Sequence, residues 1–450
     1  MKRPRTYFIL NLGCPKNEVD GQSLEFQLIQ RGLSPSDPEE ADILIVNTCG
    51  FIADARQESI DEILRLAQLK HDGTILAVTG CLSQRFRKEL LAELSEVDYF
   101  FGISSPDTVA DILLHQEPKY LDCTFEVSQT YQSSGGRFIN PGSPYAYVKI
   151  ADGCDNLCSY CAIPLIRGGY RSRPIDDVIK EVDFLLSNDI KEIILIAQET
   201  TRYGQDLARN ENLEYLIKEI CADDRLKWLR ILYAHPARTR KSLLQIIAEE
   251  NKVCSYLDLP LQHISDNMLS RMNRGITASR IKTLVSSMRN EFPEIALRTT
   301  FLLGHPGETQ DNFEELSRFV EEARFENLGC FVYSEEEQTA SAAMENKISS
   351  EIASERYEQL MLIQSTIAEN HNRQRMGKTF QAIVDSLDSA ENIYNCRLQS
   401  QSPDIDGNVR LVGYPRQLKP GDFANIKITG YDLYDLDAII ADETALRMVK

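Results

Sequence analysis

Three apolar, β-rich runs near the front of the chain each end in a cysteine, and their spacing restricts the fold more than any other feature. Tyr7-Phe8-Ile9-Leu10 leads to Gly13-Cys14, Ile43-Leu44-Ile45-Val46 leads to Asn47-Thr48-Cys49, and Ile75-Leu76-Ala77-Val78 leads to Gly80-Cys81. Continuous apolar runs bounded by turn residues suit strands covered on both faces. Between them, Ile60, Ile63, Leu64 and Leu66 fall close to helical spacing. The cysteines lie 35 and 32 residues apart, matching a ~30-residue βαβ unit. Parallel strands repeated this way bring their carboxyl ends to one edge, where ligands usually bind. Cys14, Cys49 and Cys81 are therefore predicted to converge, and three convergent thiolates suit a 4Fe–4S cluster with one iron left open. The alternative is three ordinary buried thiols. The same strand-end position three times favours ligands.

A second cysteine group follows a Gly/Ser/Pro-rich linker. The apolar run Ala146-Tyr147-Val148-Lys149-Ile150 leads into Gly153-Cys154-Asp155-Asn156-Leu157-Cys158-Ser159-Tyr160-Cys161. Three thiolates so close can grip three irons of a cubane and leave the fourth free. Structural zinc wants four protein ligands, and the nearest candidates, Cys221 and His235, lack the usual paired spacing. A ferredoxin-like electron carrier would want a fourth cysteine.

Downstream, strands and helices are predicted to keep alternating, with strands near 192–197, 228–233, 256–259, 296–303 and 329–333. With the strand before Cys154 they fit a partial (β/α) barrel. Strand-end polar residues should then face the site: Gln198, Glu199, His235, Gln262, His263 and Arg298. Each could equally be a satisfied hydrogen bond at a strand end. From about Gly377 the pattern turns to short strands near 379–384, 394–398, 409–412 and 424–428, separated by turn residues, which predicts a small β-barrel. The chain is thus read as α/β: an N-terminal parallel α/β domain (1–123), a linker (124–143), a barrel domain (144–376) and a β-barrel (377–450).

Charge narrows the partners. The 450-residue chain carries a formal net charge of -19, which disfavours passive adhesion to phosphate and favours a basic partner. The last domain has 11 acidic and 8 basic residues, a net of -3, where an RNA reader should be basic. Asp432, Asp435 and Asp437 among Tyr431 and Tyr434 suit a basic protein, or form a solvated acidic loop. No run approaches the ~20 apolar residues that span a bilayer. The front run 7–12 before Cys14 is too short for a signal sequence, and Asn11 interrupts it. A cytoplasmic protein is expected, in which the 11 cysteines are ligands, catalytic groups or buried thiols rather than a disulfide framework. Cys123, Cys221, Cys254, Cys330 and Cys396 fit neither triad.

The spacing from Cys154 to Cys161, with its aromatic Tyr160, resembles the radical S-adenosylmethionine superfamily, as does Gly304-His305-Pro306-Gly307-Glu308-Thr309, where the family usually has an aromatic at the position of His305. That resemblance implies a partial (β/α)6 barrel and a 4Fe–4S cluster on Cys154, Cys158 and Cys161. The open iron would chelate S-adenosylmethionine, and Gln198, Glu199 and Arg298 would lie toward the cofactor. The whole chain resembles the methylthiotransferases, whose front cluster binds the sulfur that is inserted. The last domain resembles the TRAM domain. Gly13-Cys14-Pro15-Lys16-Asn17-Glu18-Val19-Asp20, Asn47-Thr48-Cys49-Gly50-Phe51-Ile52, Ala162-Ile163-Pro164, Arg167-Gly168, Pro260-Leu261-Gln262-His263 and Tyr333-Ser334 are similar to the RimO branch. The tRNA-modifying MiaB branch typically shows G-C-Q-M-N at the first cysteine. Gly21-Gln22 departs from the common RimO pattern at the start of the first helix without touching a cysteine.

The resemblance implies two 4Fe–4S clusters and S-adenosylmethionine, an external electron donor and a sulfur donor. It also implies methylthiolation of an aspartate β-carbon in small-subunit ribosomal protein S-twelve, with nucleic acid not the main substrate. The rivals are a tRNA methylthiotransferase acting on a modified adenosine and a non-catalytic iron–sulfur redox sensor.

Overall fold

The computed structural model describes residues 5–115, 121–123, 127–128, 130–131, 135–208, 211–412 and 417–441. Of the linker expected over 124–143, residues 124–126, 129 and 132–134 lie outside the described residues, as do 442–450 of the last domain.

The front runs form strands Thr6–Asn11, Ile43–Thr48 and Ile75–Gly80, neighbours in a six-stranded parallel sheet. Ser34–Pro35 extends it on one side, and Tyr99–Phe101 and Leu121–Cys123 on the other. All six residues of Ile43–Thr48 are buried. Because side chains alternate faces along a strand, Ile43 and Ile45 enter one apolar core with Leu24, Leu28 and Val109. Leu44 and Val46 enter the opposite core with Ile63 and Leu66 of the helix Ala53–Ala67. Cover on both faces explains why these strands read as continuous apolar runs.

The central strands are Tyr145–Lys149, Glu192–Ile196, Trp228–Ile231, Tyr256–Asp258, Ala296–Leu303 and Asn327–Val332. They form two three-stranded parallel sheets. A bridge between Leu229 and Val253 closes the gap between them, which yields the expected six-stranded partial barrel. Alternation again decides which side chain goes where. Val148, Ile193, Leu195 and Leu229 pack outward on the helices. Tyr147, Ile194, Ile196 and Trp228 face inward and meet Val19 of the front domain and Ile383 and Phe423 of the last domain. An open barrel leaves an apolar inner face exposed, and here its two neighbours cover it.

The last domain is a closed barrel of Thr379–Asp388, Ile393–Leu398, Val409–Leu411, Phe423–Asp432 and Asp435–Ile440. The fifth strand corrects the acidic-loop expectation. Leu436 and Ala438 fill the barrel core, while the alternate Asp437 accepts from Arg410 Nε at 2.9 Å and Asp435 accepts the Asn408 N–H at 2.8 Å. Both carboxylates therefore hold barrel strands together rather than standing free for a partner. Charged residues also fasten this barrel to the central one. Buried Glu192 accepts from Arg230 and Arg397, each at 2.7 Å, and Arg397 also reaches Asp385.

Candidate active site

The front strand ends bring Cys14, Cys49 and Cys81 to one edge, and close backbone approach makes this possible. Gly13 has φ +89°, and a Cβ there would stand 2.7 Å from Cys49 Cβ and 2.9 Å from its Sγ. Two amides stitch the loops together: Asn17 Nδ2 donates to the carbonyls of Leu12 (3.0 Å) and Thr48 (2.8 Å), and Asn47 Nδ2 donates to the carbonyl of Asn17 (2.7 Å). Burial pushes the Cys49 thiol up and the Cys81 thiol up to about 11. Cys14 is exposed as a residue, while neighbouring atoms crowd its thiol. That crowding raises its thiol, yet the charges of Lys16 and Arg167 and the N–H groups of Asn17 and Lys16 bring it below the ordinary value.

The second triad sits in the loop after Tyr145–Lys149. Gly153 (φ +74°) opens the loop, and a Cβ there would lie 2.1 Å from the Gly169 carbonyl oxygen. Cys154 N–H donates to Gly168 O at 3.1 Å and Ser159 N–H to Met272 O at 3.0 Å, which pins the loop at both ends. Arg274 Nη1 donates to Cys158 Sγ at 3.5 Å. Burial and the neighbouring thiols push Cys161 up to about 12, and burial raises Cys154 as well. Such thiols ionise when a cation binds them. Among the described residues, no three His, Cys, Asp or Glu side chains are gathered as ligands of a single ion. A cubane is gripped at separate irons, so this leaves the donor set of each triad suited to a cluster.

Glu199 stands beside the second triad. It is buried and accepts from Asn156 within the cysteine loop and from Arg238 Nη1 at 3.1 Å. Gln198 Nε2 donates to Asp152 Oδ1 at 3.1 Å, and its own Oε1 is buried without a partner, an acceptor left for a ligand. Arg298 makes charged contacts on two sides. It lies third in the strand Ala296–Leu303, pairs with Asp258 at 3.0 Å and approaches Asp406 of the last domain at 3.4 Å. Its guanidinium thus stands where the central barrel meets the β-barrel, a meeting that no local spacing announces. His235 and His263 are neutral rings, their pKa values pushed down to about 2 and about 3 mainly by burial. Gln262 has φ +71° and forms an isolated bridge to Phe301 beyond the end of Tyr256–Asp258. His305 is fully buried and meets Ser159 Oγ at 3.0 Å, so it serves as packing beneath the loop.

The two triads share a wall that sequence reading missed. Arg167 is 1% exposed; it donates to Cys81 Sγ at 3.5 Å and to Asn17 Oδ1 at 2.9 Å, and it pairs with Asp20 (3.0 Å) and Asp152 (3.2 Å). Lys149 joins the same two carboxylates. Burial raises Asp152, but Lys149, Arg167 and Arg171 hold it well below the usual carboxylate range. Beside this network lies a cavity of about 500 Å³ lined by Asp20, Gly80, Ser104, Lys149, Asp152 and Arg173. On another side, Glu336 clamps the domains together. It is 2% exposed and accepts from Arg56 and, at 2.7 Å, from Arg85 of the helix Cys81–Arg85, while Arg85 Nη2 donates to Glu337 O at 2.8 Å.

Removing one partner of a buried pair leaves an uncompensated charge and costs about 3–5 kcal/mol. Glu336→Ala is therefore expected to lower the urea midpoint of the full chain, and Glu336→Gln to lower it less. An unchanged midpoint in both would show that the clamp contributes nothing.

Three family descriptions match in order: Uncharacterized protein family UPF0004 over residues 6–102, the Radical SAM superfamily over 148–320 and the TRAM domain over 376–440. The ribosomal protein uS12 methylthiotransferase RimO of Geotalea uraniireducens is 45% identical over 436 residues, covering 95% of this chain and 96% of that protein. The chain belongs to the RimO methylthiotransferase family. It is thus a radical S-adenosylmethionine enzyme that transfers a methylthio group. The RimO of Clostridium tetani is 40% identical over 97% of this chain and 98% of its own length. Among solved structures, the methyltransferase TsrM of Kitasatospora setae, with cobalamin and a [4Fe-4S] cluster bound, shares the fold at a TM-score of 0.54. Its identity is 16% over 73% of this chain and 75% of that one. Among the described residues, no helix is long and apolar enough to cross a membrane.

Proposed function

We propose that this RimO-family chain replaces a hydrogen on the β-carbon of an aspartate in small-subunit ribosomal protein S-twelve with a methylthio group. The relatives' names carry that substrate. The observation that supports the chemistry is one buried arginine that links the front triad to the loop carrying the second. Arg167 touches Cys81 and, through Asp152, the loop of Cys154. In this reading Cys154, Cys158 and Cys161 hold the 4Fe–4S cluster that faces S-adenosylmethionine, and Cys14, Cys49 and Cys81 hold a second. When bound, the first cluster and its cofactor supply the 5′-deoxyadenosyl radical that takes the hydrogen atom. The electron and the sulfur come from external donors.

The chain's own contribution is placement. Asn17, Asn47 and Gly13 set the front loops, and Arg274 and Arg167 lay cations beside the sulfurs, where anionic clusters need them. Glu199 and Asn156 brace the cysteine loop, and Gln198 keeps a buried acceptor open to the cofactor. The division into units 1–123, 144–376 and 377–450 assigns sulfur chemistry, radical chemistry and docking respectively. The cytoplasm, where the ribosome lies, is the expected compartment.

The test offers purified S-twelve and unmodified tRNA side by side to the anaerobically reconstituted enzyme. Mass spectrometry should show the methylthio gain on the protein. A gain on tRNA with none on the protein would refute this substrate while leaving the radical chemistry in place.

A further inference from the structure

Lys16 is a cation where a cation is unfavourable. It occupies the second position of the helix Pro15–Gln30, which Cys14 caps, so its ammonium stands at the positive end of the helix dipole. The residue is 8% exposed, and a buried ammonium without a counter-charge is strongly disfavoured. Yet among the described residues no carboxylate pairs with it, and the acids nearby are engaged elsewhere. Glu18 accepts from Gln22 at 2.9 Å. Asp20 serves Lys149 and Arg167. Asp258 serves Arg298 at 3.0 Å and the Tyr233 N–H at 2.9 Å.

What the ammonium does have is a seat: Nζ lies 3.1 Å from the centroid of the Tyr233 ring, an attraction that grows as the site is desolvated. Tyr233 follows the carboxyl end of Trp228–Ile231 with φ +60°, uncommon for a bulky residue. Its carbonyl accepts from the Thr200 N–H at 3.1 Å. The strand end is thus locked in a conformation that presents the ring. Lys16 therefore reaches from beside Cys14 to the carboxyl edge of the barrel, the edge from which the Cys154 loop also leaves. Hydrogen removal and sulfur attachment occur at one carbon, so the carboxyl group next to that carbon must lie in the same space.

We propose that the Lys16 ammonium, seated on Tyr233, receives the side-chain carboxylate of the substrate aspartate and so determines that the enzyme selects aspartate. This inference rests on the aspartyl-protein reading above. The ammonium carries three N–H donors, and the ring occupies one side of it, which leaves donors for both carboxylate oxygens. Docking of the substrate supplies the carboxylate partner that the ammonium lacks among the described residues, beside the Cys14 sulfur to which its charge already couples.

The test measures binding and modification of S-twelve and of S-twelve with the target aspartate changed to asparagine. It compares the wild-type enzyme with Lys16→Met, which keeps length without charge, and Lys16→Arg, which keeps charge. All are matched for iron content and thermal midpoint. Wild-type enzyme should bind the aspartate protein about 10- to 100-fold more tightly than the asparagine protein, as expected for one charge-assisted hydrogen bond. Lys16→Met should lose that preference and Lys16→Arg should restore part of it. If Lys16→Met keeps the preference, or weakens both proteins equally, the inference is overturned. It is also overturned if cofactor cleavage without substrate falls in step with product, because the ammonium would then serve the cofactor. If wild-type enzyme leaves S-twelve unmodified, the aspartate reading falls first and takes the inference with it.

Discussion

Replacing Cys154, Cys158 and Cys161 together with alanine is expected to abolish formation of 5′-deoxyadenosine from S-adenosylmethionine, with the front irons still in place. The effect should be total rather than graded, since a methyl side chain cannot ligate iron and three thiolates are all this loop offers. The fold should survive. Free cysteine behaves as a small apolar residue, and the loop is pinned by backbone bonds from Cys154 to Gly168 and Ser159 to Met272 that alanine retains. Deoxyadenosine measured by chromatography after anaerobic reconstitution decides the matter. Cleavage at the wild-type rate would mean that the electron reaches the cofactor from somewhere else, and the ligand assignment would be wrong.

The triple alanine variant at Cys14, Cys49 and Cys81 is expected to separate the two chemistries. It should bind about four fewer irons, the loss of one 4Fe–4S cubane, continue to cleave the cofactor and yield no methylthiolated protein. The separation follows from geometry: the front triad hangs on strand ends of a different sheet from the loop that carries Cys154. The sheets communicate through Arg167 and Glu336, neither of which is a thiol. Removing Cys81 also removes the sulfur that faces Arg167 at 3.5 Å. That guanidinium keeps its carboxylate partners Asp20 and Asp152, so it is not stranded. Iron analysis and product mass on the same sample check both halves, and an unchanged iron content would defeat the assignment of a second cluster.

Whatever is written in local periodicity can be read from the residues in order. Strands such as Ile43–Thr48 and Glu192–Ile196 announce themselves as largely apolar runs between turn residues, since a strand covered on both faces is apolar at most positions. The regular βαβ spacing was enough to carry Cys14, Cys49 and Cys81 to one edge, and a stretch of eight residues holds Cys154, Cys158 and Cys161 together. The strand Asp435–Ile440 escaped because its outward half is acidic, which reads as a loop until Leu436 and Ala438 are seen inside a barrel.

Which charged groups meet is settled only once the domains have assembled. Arg298 meets Asp258 and, from the last domain, Asp406. Arg167 meets Asn17 across 150 residues, Arg85 meets Glu336 across 251, and Arg397 meets Glu192 across 205. A hydrogen bond constrains atoms at about 3 Å and leaves sequence separation free. The burial that makes these pairs strong appears only when the sheets and the barrel close over them.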